Sequence, residues 1–127
     1  MAWLIYLPIY RGMGLLISPI VAPLYEAAEF GLVLPEAGTM VDMQYLRGAL
    51  YLLAVLPIIV LWRGSRQALW LWIGSAILVQ IAATPILLAY WYPLSFRLVH
   101  ALELVVDSFT QAYVYAQLLF VPAGRRA

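Results

Sequence analysis

Residues 41–62, with the sequence VDMQYLRGALYLLAVLPIIVLW, decide the structural class of this protein. A helix of roughly 20 apolar residues crosses the hydrocarbon core of a bilayer, which is about 30 Å thick. The stretch has that length, and its charged side chains are Asp42 and Arg47. It therefore predicts a membrane-spanning helix.

The composition of the whole chain agrees with this interpretation. The 127 residues are 66% hydrophobic and 10% charged, whereas soluble domains carry about 25% charged residues. A soluble domain of this size would leave large apolar patches in contact with water. We therefore expect an all-α integral membrane protein with the lipid bilayer as its surroundings.

Three further apolar stretches of similar length are separated by charged residues, proline and glycine. The four stretches predict a bundle of four transmembrane helices, forming one transmembrane domain over residues 1–127, with spans at about residues 12–34, 41–62, 67–91 and 94–121. Residues 1–10 would make the first span too long, so we predict that they lie along the membrane surface. They lack the positive flank of a secretory signal, and Met1 is taken as the start of the mature protein.

The arginines predict the orientation, because cytoplasmic loops are enriched in Lys and Arg. With four spans, one side of the membrane holds Arg11, Arg63, Arg66, Arg125 and Arg126, and the other side holds Arg47 and Arg97. This distribution predicts that both termini are cytoplasmic and that the protein lies in the plasma (inner) membrane.

The fourth span carries the residues that suggest a function. Arg97, His100, Glu103, Asp107 and Gln111 recur at spacings of three and four, and we call them the polar stripe. At about 100° per residue they occupy roughly one third of the helix circumference. A charged side chain deep in a bilayer costs about 2.5 to 3.5 kcal/mol, so the stripe is expected to face protein or a water-filled cavity.

Other spans offer partners for the polar stripe. Glu29 lies in the first span, Arg47 in the second and Gln80 in the third. We predict that they converge with the stripe on one polar pocket, with Arg97 paired to Glu103 and Arg47 paired to Asp107 or Glu29. The alternative is that the stripe only holds the helices together. A functional site is favoured because helix association rarely requires three stacked ionisable groups.

The leading functional prediction is binding or translocation of a small solute, ion or proton. Glu103 and Asp107 would carry the charge, His100 would act as a titrating gate, and Arg47 and Arg97 would be counter-charges. One alternative is a membrane-embedded enzyme acting on a lipid or isoprenoid, with His100 and Glu103 in acid–base roles. Another is a non-catalytic subunit of a larger membrane complex.

Composition excludes several other classes of function. The chain has no Cys and no Lys, which rules out thiolate chemistry and lysine Schiff bases. The formal net charge of +1 does not suggest a nucleic-acid partner. A transition metal at His100, Glu103 and Asp107 is disfavoured because the chain has one His. Because a bundle of four helices is narrow, transport would favour a homo-oligomer or a larger membrane complex.

Overall fold

Helices account for nearly all of the chain that the structure describes. The structure is a computed structural model that describes residues 2–26, 31, 36–80 and 84–121. A 3-10 turn at Ala2–Ile5 leads into α1 (Tyr6–Glu26), followed by α2 (Ala37–Leu61), α3 (Arg66–Leu78), α4 (Thr84–Leu88) and α5 (Leu94–Leu119). These residues include no β-strand, which agrees with the predicted all-α class.

Two of the described helical segments are long and apolar enough to cross a membrane. They are Ala2–Glu26, which joins the 3-10 turn to α1, and Ala37–Leu61, which is α2. Of the residues in their most apolar windows, 11% and 22% are buried inside the protein. The central helix of a soluble domain would be mostly buried, so the low values indicate that the apolar surfaces of these helices point outward.

The beginning of the chain differs from the prediction. Residues 2–10 are continuous with α1 and are not a separate surface segment. The reason is a close contact with Gly48 of α2, where an added Cβ would collide with the backbone oxygen of Trp3. Ala2 and Ile5 also pack against the buried core. Glycine at position 48 therefore brings the start of the chain into the bundle.

The third predicted span, residues 67–91, contains two described helices, α3 and α4, and residues 81–83 between them lie outside the described part of the chain. α3 ends at Leu78 in a π-helical turn over residues 79–80, and α4 begins at Thr84. The Thr84 hydroxyl donates a hydrogen bond to the Val79 carbonyl oxygen at 3.1 Å. Pro85 lies in the first turn of α4 as described, a position at which helices tolerate proline.

The core is built mainly where α3 packs against α5. Gly74 lets the Phe109 ring approach closely, and the Trp70 indole nitrogen donates a hydrogen bond to the Phe109 carbonyl oxygen at 2.8 Å. The buried cluster contains Val55, Ile59, Leu69, Ile73, Ile77, Ala112, Tyr115 and Ala116. The C-terminal halves of α2 and α5 both contribute to this cluster, so they lie toward the same end of the bundle.

Helix α5 buries its polar side and exposes its apolar side. Glu103, Asp107 and Gln111 are 5%, 3% and 0% exposed, respectively. Leu94, Leu98 and Leu102 on another side of the helix are 61%, 60% and 68% exposed. This pattern is the reverse of the one found in a helix that lies on the water-exposed surface of a soluble protein.

Candidate functional site

The polar stripe lies along α5 and is largely enclosed by the protein. Glu103, Asp107 and Gln111 are buried, and Arg97 and His100 are half-buried. The stripe faces α1 and α2, since Tyr6, Tyr10 and Tyr51 of those helices interact electrostatically with Asp107. The structure therefore brings the predicted residues of α5 together on one inward-facing side.

Glu103 pairs with His100 rather than with Arg97, the partner predicted from the sequence. The His100 Nδ1 atom lies 2.7 Å from the Glu103 Oε2 atom. Residues three positions apart are close neighbours on a helix, whereas residues six positions apart are separated by about 120° around it. His100 is held on its other side by the Phe96 ring, with centroids 4.3 Å apart.

Asp107 is the least satisfied polar side chain of the stripe. Within the described residues, neither of its carboxylate oxygens has a hydrogen-bond partner, although only 3% of the residue is exposed. Buried polar atoms in folded proteins nearly always have a partner, and an orphaned one requires an explanation. A bound proton, ion, water or solute would supply it.

A hydrogen-bonded chain fixes the orientation of Gln111. The Gln111 Nε2 atom donates to the Tyr115 hydroxyl at 2.7 Å, and that hydroxyl donates to the Gly48 carbonyl oxygen over a long 3.3 Å. A carbonyl oxygen can only accept, so the single hydroxyl hydrogen of Tyr115 must point to Gly48. The Tyr115 oxygen then accepts from Gln111, which leaves the Gln111 carbonyl oxygen pointing elsewhere.

Several residues of the site were missed by the sequence analysis. Tyr6 and Tyr10 of α1 and Tyr51 of α2 lie close to Asp107. The Tyr6 ring centroid is 5.2 Å from that of Tyr51 and 6.2 Å from that of Tyr10. The spacing of four between Tyr6 and Tyr10 was a usable signal. It was overlooked because this segment was assigned to the membrane surface.

Not every predicted residue joins the site. Arg47 is exposed and acts electrostatically on Tyr6, Tyr10 and Tyr51; over the residues that the structure describes, it makes no ion pair with Asp107. Gln80 is exposed in the turn after α3. Glu29 lies outside the described residues. The site is thus formed by α5, α1 and α2 without Gln80.

The arrangement does not favour a metal centre built from several charged ligands. In the described ranges, no group of three His, Cys, Asp or Glu side chains is placed to hold a metal ion, and this includes His100, Glu103 and Asp107. Two shallow apolar grooves lie away from the stripe, one beside Pro57 and Trp62 and the other between Trp70 and Tyr113. The carboxylates themselves are closed off from the surface.

Comparison with known proteins adds no assignment. No protein family, curated protein or solved structure matches this chain. The functional interpretation therefore depends on the geometry of the polar stripe and the residues around it.

Proposed function

We propose that the chain is a membrane protein of four spans that binds and translocates a small solute, ion or proton along the polar stripe. Asp107 carries the proposal: it is a buried carboxyl group without a hydrogen-bond partner among the described residues. Leaving a buried polar group unsatisfied costs about 1 to 3 kcal/mol, and more when it is charged. A site of this kind gains free energy by taking up a positively charged or hydrogen-donating species.

The distribution of polarity on α5 supports the membrane setting. Ionisable residues of membrane helices face the interior of the bundle, and apolar residues face lipid. α5 follows this rule, with Glu103 and Asp107 buried and Leu98 and Leu102 exposed. The outward-facing apolar surfaces of α1 and α2 support the same setting. In this proposal α3 and α4 together make the third span.

The contacts at one end of the bundle support the proposed orientation. The Arg66 Nη1 atom donates to the Gln117 Oε1 atom at 3.0 Å, and its guanidinium lies 5.3 Å from the Phe120 ring centroid. The turn between α2 and α3 is therefore beside the C-terminal end of α5. Arg63 and Arg66 lie at this end, which by the positive-inside rule is cytoplasmic; in the four-span proposal an even number of crossings puts both termini on that side.

A voltage-driven assay tests translocation of a proton or cation, the species that a buried unpaired carboxyl group favours. Liposomes containing the purified chain are given a negative interior potential by valinomycin and an outward K⁺ gradient, and a dye reports how fast the potential collapses. We expect collapse to be faster than in empty liposomes. Asp107→Asn should slow the protein-dependent rate about tenfold, equivalent to about 1.4 kcal/mol in a barrier.

The matched control for this assay is Asp42→Asn. Asp42 is exposed near the start of α2, so the substitution makes the same chemical change away from the stripe. It should keep the wild-type rate. Equal rates for wild type, Asp107→Asn and empty liposomes, with the variant folded, would contradict translocation of a proton or cation.

A further inference from the structure

We propose that α2 packs against α2 of a second copy of this chain, with the two helices parallel and Asp42 of each copy beside Arg47 of the other. The inference goes beyond the proposed function, because it concerns the outer surface of the protein and not the polar stripe. Its argument from charge rests on the membrane setting of that proposal, whereas its argument from residue spacing does not.

One side of α2 carries apolar side chains at the spacing of a coiled coil. The residues are Met43, Leu46, Leu50 and Leu53, which are 52%, 54%, 52% and 62% exposed. Their separations alternate between three and four, which is the a/d pattern of two helices that pack side by side. We call these four residues the α2 seam. The buried side of α2, which includes Gly48, faces the other way.

Two residues of opposite charge lie on the two edges of the α2 seam. With Met43 at an a position and Leu46 at a d position, Asp42 is at g and Arg47 is at e, and both are exposed. In two parallel helices in register, a g residue meets the e residue five positions further along the other helix. Asp42 and Arg47 have this separation, so a symmetric pair of copies forms the contact twice.

Arg47 needs an anionic partner that the described part of one copy does not supply. It lies about 9 Å along α2 from Val41, the start of the predicted span, and therefore inside the hydrocarbon in the proposed setting. Among the described residues, neither Arg47 nor Asp42 takes part in an ion pair. The groups that interact electrostatically with Arg47 are tyrosines, whose neutral phenols do not compensate its charge. Asp42 of a second copy supplies the missing carboxylate.

The charges and the flanking residues favour a parallel pair of identical copies. In an antiparallel pair, e positions face e positions and g positions face g positions, so Asp42 would not meet Arg47. Copies inserted into one membrane with the same orientation have parallel α2 helices, as the contact requires. The next g and e positions are Ala49 and Ala54, and small residues let membrane helices approach closely.

Disulfide cross-linking in liposomes tests the α2 seam. The chain has no cysteine, so Leu46→Cys and its control Leu102→Cys each place a single thiol at an exposed leucine. Facing d positions of a parallel pair suit a disulfide, whose Cα atoms are about 4.4 to 6.8 Å apart. With copper phenanthroline as oxidant, Leu46→Cys should form dimers about tenfold faster than Leu102→Cys, because its thiols are held together rather than meeting by collision. Equal rates would overturn the proposal.

Charge variants in the Leu46→Cys background identify the contact. Asp42→Arg and Arg47→Asp should each slow cross-linking about tenfold or more, since like charges then face each other. Combining Asp42→Arg with Arg47→Asp restores opposite charges, so the rate should recover, which a variant that does not fold could not do. Single variants that cross-link at the original rate, or a combined variant that stays slow, would overturn the pairing of Asp42 with Arg47.

Failure of this proposal can be distinguished from failure of the proposed function. Because the polar stripe lies within one copy, Asp42→Asn should slow cross-linking and still translocate at the wild-type rate. Slow cross-linking of Leu46→Cys, together with a collapse of the membrane potential that depends on Asp107, would overturn the pairing and leave the proposed function standing. Rapid cross-linking without that collapse would support the pairing and contradict translocation of a proton or cation.

Discussion

Leu102→Asp is expected to destabilise the membrane-inserted protein by about 2.5 to 3.5 kcal/mol, the cost of an acidic side chain near the centre of a bilayer. Leu102 is 68% exposed and lies about 12 Å along α5 from Leu94. In the proposed setting a carboxylate there would face lipid. On a water-exposed surface the same substitution would change stability by only about 0.5 kcal/mol or less.

Leu94→Asp is the matched control for this prediction. Leu94 is 61% exposed and is the first residue of α5, so its replacement would lie at the membrane–water interface on the same side of the helix. The fraction of each variant that remains in membranes after an alkaline wash gives the comparison. Equal retention of Leu102→Asp and Leu94→Asp would contradict the assignment of this side of α5 to lipid.

Gly48→Ala is expected to lower the free energy of unfolding by about 1 to 3 kcal/mol, as inserted methyl groups do in closely packed cores. Its Cβ would collide with the Trp3 backbone oxygen and lie 3.1 Å from the Tyr6 Cβ atom. The Gly48 carbonyl also accepts from Tyr115, so α2 cannot move away without losing that hydrogen bond. Backbone atoms of the neighbouring turn cannot rotate aside as a side chain can.

Gly38→Ala provides the control within the same helix. Among the described residues, no atom outside the backbone of α2 lies within 4 Å of a Cβ built at position 38, and alanine favours a helix over glycine by up to about 1 kcal/mol. The control should therefore be as stable as the wild type or more so in thermal unfolding in detergent. Equal stability of Gly48→Ala and Gly38→Ala would show that Trp3 does not pack on α2 as described.

The sequence predicts α2 and α5 well but α1 and the third span less well. The predicted ranges 41–62 and 94–121 correspond to Ala37–Leu61 and Leu94–Leu119, since long apolar runs and the proline before Leu94 mark these helices. The early start of α1 depends on a contact between Trp3 and Gly48, which are far apart in the sequence. The change from α-helix to π-helix at residues 79–80 occurs within an apolar stretch and leaves little trace in hydropathy.

The residues of the candidate site also fall into two groups: those predicted by spacing within one helix and those that depend on contacts between helices. Helical periodicity predicts that Glu103, Asp107 and Gln111 share one face, and the structure buries all three. Tyr115 was missed because its role depends on a contact with Gly48 of α2, which is far away in the sequence. Periodicity within one helix identifies the residues on a face, but it contains no information on which residues of another helix are opposite them.

The most direct test of the central claim measures what surrounds α5. The chain contains no cysteine, so Leu102→Cys introduces one site for a nitroxide spin label, and Gly64→Cys in the exposed turn before α3 gives the aqueous reference. Power-saturation electron paramagnetic resonance in liposomes compares collisions with oxygen, which concentrates in lipid, and with a water-soluble nickel complex. The account predicts that the label at position 102 collides mainly with oxygen and the label at position 64 mainly with nickel. Nickel access at position 102 equal to that at position 64 would contradict it.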